Sequence, residues 1–230
     1  MRRLLLARHG QSVSNAVRRF QGVQDVPLSE LGRRQAEALA GAFGQRRIAA
    51  VYSSPLQRAR HTAELVAAAY VSPFARARET AELALREIGV APTIIEELRE
   101  LSLGEWEGCT VEEVEARPGN PYACWVRDPV GSLPPGGEPL ADVQGRMVRA
   151  LADIECAHPN GDDVLVVCHG GVISAYLAHC LGLPLSSIWR LTVSNCSITE
   201  LAPPRLLSMN VTTHLTGIAV PPSGFPTLSP

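Results

Sequence analysis

Val164-Leu165-Val166-Val167-Cys168-His169-Gly170-Gly171 is the stretch that decides the fold. An aliphatic run this short, cut off by glycine, has the pattern of a strand buried on both faces of a parallel sheet. Leu4-Leu5-Leu6-Ala7-Arg8-His9-Gly10 shows the same pattern at the start of the chain. In an open α/β sheet, ligands sit outside the carboxyl ends of the strands. Two histidines delivered to that edge, one directly after an arginine, suit phosphate chemistry: a nitrogen nucleophile, and cationic donors for a dianion.

Outward from these runs, strands alternate with helices. The first strand spans about Arg3 to Arg8 and leads through a polar loop to Pro27; Ser29 then caps a helix with Ala36, Leu39, Ala40 and Phe43 at helical spacing. Ile48 to Tyr52 is a second strand, Ser53-Ser54-Pro55 opens the next helix, and Thr93 to Glu96 is a short third strand. Leu140 to Ala157 and Gly171 to Leu181 are helices flanking the strand that ends at His169, and Ile188 to Leu201 and Leu206 to Leu215 are expected to be further strands. This alternation predicts one domain over residues 1–215, a three-layer α/β/α sandwich on a mostly parallel sheet. The proline-rich excursion from about residue 108 to 139 is expected to be an irregular lid or substrate loop. The Pro-, Ser- and Gly-rich tail, 216–230, is expected to fray.

Tyr52-Ser-Ser-Pro-Leu-Gln-Arg-Ala-Arg-His-Thr-Ala-Glu-Leu65 recurs as Tyr70-Val-Ser-Pro-Phe-Ala-Arg-Ala-Arg-Glu-Thr-Ala-Glu-Leu83, eighteen residues later. A solenoid needs three or more units, so two copies mark a local tandem duplication. The first copy follows a credible strand, which favours Arg58 over Arg76 as the functional arginine. The second copy is expected to form its own helix, because Pro73 disfavours one unbroken helix through both.

A net charge of −2 over 230 residues gives no nucleic-acid footprint. No run approaches the roughly 20 apolar residues of a membrane span. Met1-Arg2-Arg3-Leu4-Leu5-Leu6 is too short for a signal peptide and runs into polar Arg8-His9-Gly10. The six cysteines form no CxxC pair and no metal-ligand spacing with histidine. The expectation is therefore reduced thiols in a cytoplasmic protein without metal or other cofactor.

Four clusters carry the chemistry. In Arg8-His9-Gly10, with Ser12 and Asn15 just after, a neutral imidazole can attack phosphorus if a hydrogen bond fixes its tautomer, while Arg8 offers a planar fork to phosphate oxygens. In Ser54-Pro55-Leu56-Gln57-Arg58, the arginine sits in a first helical turn and would point back over the strand ends. In Leu98 to Gly108, Glu100 lies closest to a strand end and is preferred over Glu105 and Glu107 as a carboxylic acid kept protonated by a neighbouring dianion; Glu107 is expected to be a solvated acid. His169-Gly170-Gly171 places an imidazole and free backbone N–H groups around an anion. His61, His158, His179 and His214 have no comparable setting.

Together, from about Arg3 to Leu215, these clusters resemble the histidine phosphatase superfamily, the family of cofactor-dependent phosphoglycerate mutase. The resemblance rests on Arg-His-Gly-x-Ser-x-x-Asn, Ser-Pro-Leu-x-Arg, Leu-x-Glu-x-x-x-Gly-x-x-Glu-Gly and His-Gly-Gly, in that order. It implies a phosphoglycerate mutase-like fold, with His9 phosphorylated on nitrogen, Arg8, Arg58 and His169 binding the phosphoryl group, and Glu100 as proton donor. Ser12, Asn15, Gln21, Gly22 and Gly170 are implied as substrate-binding positions. Cys168, where the family often has Ser, Thr or Ala, and the duplicated segment are the departures. The resemblance implies a phosphomonoesterase acting on a small phosphorylated metabolite and leaves a homodimer open. Phosphoglycerate mutase is the alternative, disfavoured because the excursion offers only Arg117 and Arg127 as fixed positive charges; a non-catalytic phosphate-binding module is the third reading.

Overall fold

The computed structural model describes residues 1–43, 48–69, 92–161 and 163–221. Among them, strands β1 (Arg3–Arg8), β2 (Ile48–Ser53), β3 (Thr93–Ile94), β4 (Asp163–Cys168), β5 (Ile198–Ala202) and β6 (Arg205–Val211) form one sheet in the order β3-β2-β4-β1-β5-β6. The pairs β1/β4, β2/β4 and β2/β3 are parallel, and β5 and β6 add an antiparallel edge. The duplicated copy from Tyr70 to Leu83, with Arg76 and its expected helix, lies outside the described residues.

Alternation along the strands sorts the core into two layers. Leu4, Leu6, Val164 and Val166 face one side, packed with helices α6 (Leu140–Ala157) and α7 (Gly170–Leu181). Leu5, Ala7, Val51, Leu165 and Val167 face the other, against α2 (Glu30–Phe43) and α3 (Gln57–Ala69). Ser29 opens α2 as expected, its hydroxyl accepting the Gly32 N–H at 3.1 Å. The short helix α1 (Val13–Ala16) carries a reciprocal cap between Ser12 and Asn15. No helix among the described residues is long and apolar enough to cross a membrane.

Several expectations are corrected. Residues 188–197 are not strand: Leu185–Arg190 is a 3-10 helix that buries Ile188 and Trp189, and the chain then turns sharply, with Cys196 at positive φ and its N–H donated to the Arg8 carbonyl at 3.0 Å. Apolar residues there pack as single anchors, not as one alternating face. The last strand stops at Val211, and Thr213–Leu215 is another 3-10 turn. The third strand is only Thr93–Ile94, since Glu96–Leu98 already forms a 3-10 turn. The first stretch of the expected tail does not fray: Ile218 and Val220 pack on the α2 layer, and the Ala219 carbonyl accepts Gln35 Nε2 at 2.8 Å. Residues 222–230 lie outside the described set.

The 108–139 excursion is more ordered than its prolines imply. It contains α4 (Val111–Glu115), capped by Thr110, and α5 (Pro121–Arg127), capped by Asn120 with proline in the first turn. Trp125 anchors it. The indole is fully buried, edge-on to Trp106 at 5.5 Å and to Trp189 at 4.7 Å, with Phe20 at 6.3 Å. Trp125→Ala is therefore expected to cost about 3–5 kcal/mol, read from urea unfolding. A loss below about 1 kcal/mol would show that this cluster does not hold the excursion down.

Candidate active site

The β1/β4 register pairs Arg8 with Cys168, so the next residue on each strand is a histidine. The His9 N–H donates to the Cys168 carbonyl at 3.0 Å, and the two imidazoles meet edge-on, ring centres 5.1 Å apart. From the neighbouring β2 the chain passes through Ser54, whose N–H donates to the Val167 carbonyl at 3.1 Å, into α3 with Arg58 in its first turn. Glu100 arrives on the loop that follows the Glu96–Leu98 turn. Arg8, His9, Arg58, Glu100 and His169 are thus brought together, each no more than 4% exposed.

His9 Nδ1 lies 2.6 Å from the Gly10 carbonyl oxygen. A carbonyl only accepts, so Nδ1 carries the proton and Nε2 keeps its lone pair. Nε2 meets Arg58 Nε at 3.3 Å. Burial, with Arg58 and Arg8 adding to it, holds His9 well below the usual imidazole range, so the ring is neutral at pH 7. Gly10 is required by close packing: a Cβ there would collide with the Gly32 carbonyl at the start of α2.

Both arginine forks are held by backbone carbonyls. Arg8 donates to the Val193 carbonyl at 2.6 Å, and Arg58 to those of Gln24 and Gly22, each at 2.8 Å. Burial lowers both guanidinium pKa values to about 10, which leaves them charged at neutral pH. Glu100 accepts the Leu101 N–H at 3.0 Å and the Gly171 N–H at 3.2 Å, yet burial raises its pKa against these bonds and against Arg58 and Arg8. The Gly171 N–H is therefore spent on Glu100 and is not free for an anion, a correction to the expectation for the His-Gly-Gly turn. His169, also held well below its usual range by burial, places Nε2 2.7 Å from Ser54 Oγ.

The cavity over His9 is lined by Arg8, Arg58, Glu100, Asn15, Gln21 and Gly22, among others. Of the expected substrate-binding positions, Asn15, Gln21 and Gly22 therefore reach it. Ser12 does not line it. Its buried hydroxyl donates to Gln21 Oε1 at 2.6 Å and accepts the Asn15 N–H at 3.1 Å, so it orients both neighbours. Gly170 likewise does not line the cavity and opens α7 beside His169. Glu107 is no solvated acid: it accepts from the N–H groups of Val23 at 3.2 Å and Leu103 at 3.0 Å and from the Ser102 hydroxyl at 3.1 Å. That carboxylate ties the Glu100 loop to the loop at Gly22, where φ is positive and a Cβ would strike it.

Sequence reading missed Arg18 and Arg19 at the cavity mouth. Both are also turned to α4, Arg18 to Glu112 at 2.7 Å and Arg19 to Glu113 at 3.7 Å, so their charges are largely balanced. It also missed Arg146, buried on α6, which donates to the carbonyls of Glu97, Arg99 and Glu100 and pairs with Glu138 at 2.8 Å. His61, His158, His179 and His214 do not line the cavity, and His169 reaches it only through its contact with the His9 ring. Among the described residues no group of three or more His, Cys, Asp or Glu could hold a metal.

The chain is similar in sequence and fold to proteins of named activity. The glucosyl-3-phosphoglycerate phosphatase of Mycolicibacterium vanbaalenii is 35% identical over 211 residues, 88% of this chain and 84% of that one. Phosphoserine phosphatase 1 of Hydrogenobacter thermophilus is 32% identical over 223 residues, 94% and 95% of the two chains. The structure of mycobacterial glucosyl-3-phosphoglycerate phosphatase with VO3 superposes with a TM-score of 0.77 at 33% identity, covering 92% of this chain and all of that one. Each is named as a phosphatase. The model of histidine phosphatase superfamily branch 1 matches residues 4–69 and 66–205, so two overlapping segments account for most of the chain. The chain belongs to the histidine phosphatase superfamily, branch 1, and is a hydrolase of phosphomonoesters.

Proposed function

We propose that the enzyme hydrolyses a small phosphorylated metabolite in two steps through a phosphohistidine at Nε2 of His9. The observation that carries this reading is the His9 ring, with Nδ1–H tied to the Gly10 carbonyl and Nε2 turned to Arg58 in the cavity wall. In the first step the Nε2 lone pair forms a bond to phosphorus as the ester P–O bond breaks. Glu100 gives its proton to the departing alkoxide. In the second step water attacks phosphorus, Glu100 takes the water proton, and the N–P bond electrons return to Nε2.

Charge decides the assignment of the other groups. Arg8 and Arg58 are fixed beside the nucleophile, Arg8 on the Val193 carbonyl and Arg58 on those of Gln24 and Gly22, and both stay charged at neutral pH. Electrostatic stabilisation of the transferring phosphoryl group is the main contribution available to a protein here. A bound dianion would raise the pKa of Glu100 further, favouring the acid form that the first step uses. The six free cysteines suit a reducing compartment, in keeping with a cytoplasmic enzyme.

His9→Ala is expected to abolish phosphate release, and acid-labile, base-stable label from a phosphorylated substrate should map to His9 in the parent enzyme. Label on a serine or cysteine would overturn the mechanism.

Glu100→Gln should slow alkyl phosphates by about 10²- to 10⁴-fold and p-nitrophenyl phosphate much less, since only a basic alkoxide needs the proton. Equal losses on both would remove Glu100 from the acid role.

Arg58→Ala should cost about 2 kcal/mol or more of transition-state stabilisation, measured as kcat/KM. Arg76→Ala, in the second copy, should leave kcat/KM nearly unchanged. The opposite pattern would mean that the second copy supplies the functional arginine.

A further inference from the structure

His169 is fully buried, and only one of its ring nitrogens has a partner. Nε2 lies 2.7 Å from the hydroxyl of Ser54, itself fully buried, while Nδ1 is buried without a hydrogen bond. A buried polar atom left in that state costs free energy unless a ligand or water completes it. Here the missing partner has a natural candidate, because the ring packs edge-on against His9, where the phosphoryl group would arrive.

The Ser54 hydroxyl decides which nitrogen carries the proton. Its oxygen already accepts the Leu56 N–H at 3.3 Å. The oxygen has a second lone pair, and it is the O–H hydrogen that sets the direction: among the described residues His169 Nε2, at 2.7 Å, is its one acceptor. Nε2 is then the acceptor, and the neutral ring must carry its proton on Nδ1. The reverse tautomer would leave the Ser54 hydrogen without its acceptor and put a lone pair, not a donor, on Nδ1. Burial first, then the charged Arg58, Arg8 and Arg146, favour the neutral ring, so proton placement and not extra charge determines what His169 offers.

We propose that Ser54 is a positioning residue that locks His169 in the Nδ1–H tautomer and thereby makes it a hydrogen-bond donor to the phosphoryl oxygens. This rests on the phosphohistidine reading above and adds to it the origin of one donor. Ser54 holds no atom of the substrate and acts through His169.

The test separates this role from simple support of α3, since Ser54 also caps Leu56. Ser54→Ala should lower kcat/KM by about 10- to 100-fold, while Ser54→Thr, which keeps the hydroxyl, should recover most of it. In the His169→Ala background, Ser54→Ala should add little, because the group it orients is gone. Nitrogen-15 shifts of the histidine rings, read without substrate, should show His169 protonated at Nδ1 in the parent and a growing Nε2–H population in Ser54→Ala. That measurement does not use activity, so it stands even if His9 proves not to be the nucleophile. An unchanged His169 tautomer in Ser54→Ala, or losses that simply add in the double variant, would overturn the proposal and leave Ser54 as a helix cap.

Discussion

The parallel pairing of β1 with β4 is the constraint on which the rest depends. Six consecutive pairs, from Arg3 with Asp163 to Arg8 with Cys168, run in phase without a bulge. Because side chains alternate faces with period two, a one-residue slip would turn one strand's apolar set to the wrong layer. Leu4 and Leu6 belong to one core and Leu5 and Ala7 to the other, so the register is held from both sides. The same register brings His9 and His169 out at one height. Packing of aliphatic side chains thus sets the geometry of the two imidazoles.

The buried arginines of the site fall into two groups. Arg8 donates to the Val193 carbonyl and Arg58 to those of Gln24 and Gly22, and the Glu100 carboxyl acts on both. Arg146 is treated differently. It pairs with Glu138 and gathers the carbonyls of residues 97, 99 and 100, so its charge is balanced and its role is to shape the loop beneath Glu100. Position separates them: Arg8 and Arg58 line the cavity over His9, and Arg146 does not.

Much of this was legible because the decisive features are local. The two strand–histidine–glycine runs, the Ser29 cap and the α6 periodicity each depend on a few neighbouring residues, and the structure has them where the pattern put them. The misplaced elements share a different cause. Residues 188–197 looked like strand from composition, but a tight turn against the His9 strand end competes with extension there, and Asn195 Nδ2 donates to the His9 carbonyl at 2.9 Å. Glu107 reads as a solvated acid and Arg146 gives no signal in the sequence because their partners lie on other segments: Val23 for one, Glu97 to Glu100 for the other. Arg18 and Arg19 reach the cavity through a loop whose path no periodicity encodes.

Glu100 shows why such a site cannot be reduced to a list of residue types. Two backbone N–H groups and two nearby guanidinium groups favour its charged form, and burial favours the neutral one. These influences oppose each other, so a modest new charge can tip the balance. A phosphoryl dianion would be that charge, and its departure as inorganic phosphate would reverse the shift. The acid form used to release the alcohol would therefore be favoured more strongly while substrate is bound than after phosphate leaves. The backbone donors that seem to work against an acid thus serve the same residue in its second role, where a carboxylate must take a proton from water.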